Sequence, residues 1–73
     1  MKKYKYITIL EQKDQFEGKP VFSVINNKSG AELAILYYYK AWKQYIFTQS
    51  DEGVVFNNSC LHDILDFLEN QIN

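Results

Sequence analysis

Two hydrophobic periods run along this chain, one of about two residues and one of helical spacing. Residues 4–10 alternate, with Tyr4, Tyr6, Thr8 and Leu10 on one side and Lys5, Ile7 and Ile9 on the other. Their aromatic and β-branched content predicts a first strand. Residues 11–19 carry Glu11, Lys13, Asp14, Glu17 and Lys19 and close on Gly18-Lys19-Pro20, so a polar loop is expected there, with Phe16 able to tether it. A short apolar strand over 21–25 runs into Asn26-Asn27-Lys28-Ser29-Gly30, whose tolerance of left-handed backbone lets the chain reverse as a hairpin.

The most apolar stretch is 32–39. Leu33, Ile35, Tyr37 and Tyr39 share one face and Ala34, Leu36 and Tyr38 the other, and three consecutive tyrosines favour a strand over a helix. After a turn without glycine at Lys40-Ala41-Trp42, alternation resumes over 43–48, where Tyr45 and Phe47 oppose Gln44 and Ile46. Ser50-Asp51-Glu52-Gly53 predicts a further turn, and 54–56 a short last strand.

Asn57, Asn58 and Ser59 are all good N-caps. From Leu61 the apolar residues Leu61, Ile64, Leu65, Leu68 and Ile72 recur on one helical face, predicting a helix to the chain's end. Phe67 and Cys60 widen that stripe, while Asp63, Asp66, Glu69 and Asn70 form the wet side, with Asp63 expected in the first turn where it complements the helix dipole. The expected fold class is α+β: one domain over 1–73, an antiparallel meander of four to five strands with a single C-terminal helix packed on one face.

Composition narrows this picture. A 73-residue chain rarely draws more than about 3–5 kcal/mol from one core, which excludes a two-lobed enzyme or a long cofactor cleft. One tryptophan, six tyrosines and five phenylalanines, or a second copy of the chain, must supply much of the stability. The single cysteine, Cys60, cannot form an internal disulfide, so a reducing cytoplasm is expected. Lys2, Lys3 and Lys5 look like the start of a signal peptide, but the apolar stretch behind them stops at Glu11, far short of a roughly 20-residue membrane span.

One helix covers one face of a sheet, and here both faces are apolar. If Leu33, Ile35, Tyr37 and Tyr39 face the helix, then Ala34, Leu36 and Tyr38 lie outside with Ile46; the opposite register only exchanges the two sets. An exposed apolar patch larger than a few hundred Å² usually marks a contact surface, which points to a partner protein or a second copy. The plainer alternative is a sheet face lined harmlessly by amphipathic tyrosines, or a sheet that curls partly over itself.

Candidate chemistry is sparse. Cys60 sits near a helix start that would lower its pKa, yet His62 is two residues along the same helix and points elsewhere, so a structural thiol is expected. His62 and Asp66 offer only two metal ligands, and Asp63 with Asp66 reads as a solvated face rather than a catalytic pair. Neither a metal nor a cofactor is expected, and an enzyme is not expected either. Lys40 and Lys43, flanking Trp42 with Tyr38 and Tyr45 nearby, could serve single-stranded nucleic acid by stacking. Against this stand eight lysines with no arginine, nine carboxylates and a net charge of −1, where phosphate binding calls for a basic stripe.

Tyr38, Trp42, Gln44, Tyr45 and Phe47, then Val55-Phe56, Cys60-Leu61, Asp63-Ile64 and Phe67, resemble the signature of a family of short proteins from bacterial genomes and their phages. The resemblance spans residues 21–68. It departs at Ala34 and Ala41, where the family has Gly, and Pro or Gly. That family carries no established activity, so no functional residue is transferred. The resemblance implies a small cytoplasmic accessory protein of the kind that mobile elements carry, and such proteins often act by binding. The function expected is therefore a non-enzymatic interaction module, self-associating or docking on an unidentified protein through Leu36, Tyr38, Trp42 and Tyr45, with single-strand nucleic-acid binding as the alternative.

Overall fold

The fold is known from a computed structural model, which describes residues 1–72. Alternation over most of the chain produces five strands: β1 (Lys2–Lys3), β2 (Ile7–Phe16), β3 (Lys19–Asn26), β4 (Glu32–Tyr39) and β5 (Gln44–Gln49). Each pairs antiparallel with its sequence neighbour in the order β1-β2-β3-β4-β5, a meander. Helix α1 (Asn58–Phe67) follows and continues as a π-helical turn over Leu68–Ile72, giving the α+β arrangement expected from the periodicity.

The first hairpin is longer than the charge pattern suggested. Residues 11–16 are strand rather than loop, and the reversal takes only Glu17 and Gly18, with φ of 51° and 79°. Two successive positive φ values are the requirement of the type I′ two-residue hairpin turn, and they close the Phe16/Lys19 pair. Glutamate is a poor resident of that region, which is why the turn was hidden. The ladder tolerates Glu11, Lys13 and Asp14 because all three side chains are exposed. Between Glu11 and Gln15 the register shifts, and β2 bulges and curls there.

Two other strand boundaries differ. The first long strand starts at Ile7, not Tyr4, and the lysines ahead of it fold back as β1 against Thr8 and Ile9. Asn27 holds this connection: its backbone N–H donates to the Tyr6 carbonyl at 2.9 Å and its side-chain amide to the Tyr4 carbonyl at 3.0 Å. Residues 54–56 are not a strand; Gln49 Nε2 donates to the Val54 carbonyl at 2.9 Å, a side-chain bond that takes the place of a backbone ladder.

Of the three possible caps, Asn57 is used: its side-chain oxygen accepts from the Cys60 N–H at 2.9 Å. The helix begins early enough that Asp63 lies beyond its first turn. The helix is also rotated from the expected stripe. Ile64 and Phe67 are buried, with Cys60, Leu68 and Ile72 packed beside them, while Leu61 and Leu65 are left exposed. Phe67 decides this, because its ring meets that of Phe22 edge-on at 5.2 Å and buries more area than a leucine could. Under the helix lie Ile7, Ile9, Phe22, Val24, Ala34 and Leu36.

Candidate functional site

Register settles which face of β4 the helix covers. Phe22 pairs with Leu36 and Val24 with Ala34, so these residues line the helix side, and Leu36 has 0% of its surface exposed. Leu36 is thus corrected from a surface position to the centre of the core. Tyr38 and Tyr45 are a cross-strand pair on that same side, their rings 5.6 Å apart, with Lys19 Nζ 4.7 Å over the Tyr38 ring. Tyr45 packs against the core, and its hydroxyl donates to the Pro20 carbonyl at 2.9 Å. Burial, followed by the charge of Glu11 and the neighbouring Tyr38, raises its pKa. Of the expected interaction set, only Trp42 stands well out, 64% exposed at the β4/β5 turn against Tyr39 at 5.1 Å.

The face without a helix carries Ile35, Tyr37, Tyr39 and Ile46 instead; a bulge between Val24 and Ile25 turns Leu33 from this set toward the core. The curl of β2 brings Phe16 onto Tyr37, edge-on at 5.6 Å. Between them lies an open trough of about 370 Å³, with Phe16, Val21, Ile35 and Tyr37 as its apolar lining and Gln12, Asp14, Gln15 and Thr48 also lining it. A polar string crosses this side of the sheet: Gln12 Nε2 donates to Ser23 Oγ at 2.6 Å, Ser23 Oγ to Glu32 at 2.9 Å, and Ser50 Oγ to the other Glu32 oxygen at 2.9 Å. The face is therefore mixed, and its apolar part is concentrated between the curled hairpin and β4. Sequence reading missed this trough because it assigned residues 11–16 to a loop.

Lys40 and Lys43, proposed for nucleic acid, belong to the Trp42 turn, where Lys43 adopts a φ of 54°. Lys40 shares a hollow with Phe16, Glu17, Lys19 and Tyr38, so a carboxylate sits among the cations. Cys60 is half-buried against the core and His62 is exposed; they line different hollows. Among the described residues, no three His, Cys, Asp or Glu side chains gather as a metal-binding group, and no helix is long and apolar enough to cross a membrane.

Asp66, expected on the wet side, instead accepts a hydrogen bond from the Tyr4 hydroxyl at 2.7 Å and another from Asn70 Nδ2 at 2.8 Å. The Tyr4 bond, then the Asn70 bond and the charge of Lys2, hold the Asp66 carboxyl below the usual carboxylate range. Burial first, then the bond and charge of Asp66, push Tyr4 above the ordinary phenol value. A lowered carboxylate pKa contributes stability present above its unfolded value and lost as pH falls through the folded one. A raised phenol pKa contributes stability that is lost as pH rises past about 10. We expect Tyr4→Phe to return the Asp66 pKa toward normal, read by NMR titration of its carboxyl carbon, and to flatten the acid limb of stability against pH. An unchanged Asp66 titration would show that the bond does not hold the helix in solution. Comparison of this chain with protein-family models, with curated proteins and with solved structures gives no match.

Proposed function

We propose that this chain is a non-enzymatic protein-interaction module of the cytoplasm that engages its partner through the helix-free side of the sheet. The observation that carries the reading is the trough beside Tyr37: an apolar floor with polar neighbours, left uncovered by the one helix of the fold. That pattern of apolar centre and polar surround is the anatomy of protein interfaces. Phe16, 49% exposed, and Tyr37 are aromatic anchors of the sort that dominate binding energy. The resemblance to short accessory proteins of bacteria and phages supports the same reading. Nucleic-acid stacking has less support, since the exposed aromatics are divided between the two sides of the sheet and the lysines are interleaved with carboxylates.

A photo-crosslinking residue in place of Tyr37 tests the reading in the native cell. Discrete adducts of higher mass are expected from Tyr37 and none from the same residue at Lys13, which lies exposed on β2. Equal labelling at both positions, or none at Tyr37, would overturn it.

A further inference from the structure

The two edges of the sheet are protected very differently. At one edge, β1 is only two residues long and both are lysines; beyond it β2 presents Glu11, Lys13 and Asp14 and a register shift. Shortness, charge and a bulge are the devices that stop an edge from pairing with another chain. The other edge is β5, Gln44-Tyr45-Ile46-Phe47-Thr48-Gln49, with none of them: no charge, no proline and an unbroken register against β4.

Register also shows which backbone groups that edge offers. Ser50 N–H donates to the Leu33 carbonyl at 3.0 Å, which makes Ala34/Gln49 a pair that does not exchange hydrogen bonds directly. By alternation, Ile46 and Thr48 turn their N–H and C=O groups toward β4, and Phe47 and Gln49 turn theirs outward. Gln44, Phe47, Thr48 and Gln49 are all exposed. The charges at the ends of the strand are opposite: Lys40 and Lys43 precede it, Asp51 and Glu52 follow it.

From this we infer that β5 is the site of self-association, pairing antiparallel with β5 of a second copy about a two-fold axis through Phe47. The inference rests on the reading of the chain as an interaction module and names one partner for it. Antiparallel pairing about a residue keeps equivalent faces together, so two sheets join into one with both helices on the same side and both troughs on the other. Phe47 then meets its own copy, and its exposed ring, already 5.7 Å from Phe56, is covered. Lys43 lies just before β5 and Asp51 just beyond its end, each four residues from Phe47, so the same axis brings the lysine-bearing end of each strand alongside the carboxylate-bearing end of the other. A parallel arrangement would bring lysines to lysines and carboxylates to carboxylates.

Sedimentation equilibrium on the whole chain and three variants tests this. The wild type is expected to be a dimer, Lys43→Glu and Asp51→Lys each to weaken the dimer about ten-fold, and the double variant Lys43→Glu/Asp51→Lys to restore it. Both substitutions are at exposed positions, and circular dichroism checks that each variant keeps its fold. A monomeric wild type at high micromolar concentration, single variants that associate like the wild type, or a double variant as weak as the singles would each overturn the inference. A dimer broken by Tyr37→Lys but indifferent to the charge changes would also overturn β5 pairing while leaving the trough as the interaction surface. Loss of crosslinking at Tyr37 with an intact, charge-dependent dimer would instead remove the trough and keep the edge.

Discussion

Leu36→Ala is expected to leave the chain largely unfolded in dilute buffer. Leu36 has no exposed surface, and it lies in the cluster with Ile7, Ile9, Phe22, Val24, Ile64 and Phe67, the contact layer between sheet and helix. Truncating a buried leucine costs about 2–5 kcal/mol, the transfer energy of the lost methyl groups plus that of the cavity left behind. A single core in a chain of this size supplies about 3–5 kcal/mol in all, so the change consumes most or all of the stability. Ile35→Ala, one residue away on the helix-free face where the side chain is only half-buried, should cost much less. Urea unfolding followed by circular dichroism distinguishes the two. A tolerant Leu36→Ala beside a disruptive Ile35→Ala would mean that β4 presents the opposite face to the helix.

Phe67→Ala has the second large effect, an expected loss of about 3–5 kcal/mol. Phe67 is 5% exposed and its ring leans on Phe22, which leans in turn on Tyr45 at 6.0 Å, so one side chain couples the helix to β3 and β5. Leu65→Ala is the control: two residues earlier on the same helix, Leu65 is 49% exposed, and its loss should change stability by no more than about 0.5 kcal/mol. Thermal unfolding of the two variants reads the rotation of the helix directly. Equal losses would place the helix with its leucine stripe inward.

That comparison also marks the limit of periodicity. Leu61, Ile64, Leu65, Leu68 and Ile72 form a coherent stripe by spacing, and spacing alone treats each apolar residue as equivalent. Packing weighs them by size and by what stands opposite. Phe67 finds Phe22, and Asp66 finds the Tyr4 hydroxyl from the far end of the chain, so the helix settles with its aromatic inward and two leucines in water. Neither partner could be foreseen from helix spacing, because each comes from a distant strand or connection.

The candidate site was half legible for a related reason. The surplus of apolar residues over what one helix covers was visible in β4, but which set faced outward was open, since a shift of one residue exchanges them. Trp42 was correctly placed in a turn. Leu36 was assigned to the surface and lies in the core, and Phe16, assigned to a loop, became a wall of the trough.

The sequence by itself determined the elements that depend on local preference: β4 to the residue, β3 and β5 to within two, a C-terminal helix capped within Asn57-Asn58-Ser59, and the α+β class. These follow from side-chain period, turn residues and capping chemistry, all of which act within a few residues along the chain. Only the tertiary structure decided the reach of β2, the burial of Leu36 rather than Ile35, the rotation of the helix and the contrast between the two sheet edges. Each of these is set by contacts between residues far apart in sequence, where the energy of a ladder or a filled core outweighs the local preference of a glutamate at a left-handed turn or a leucine on a helical stripe.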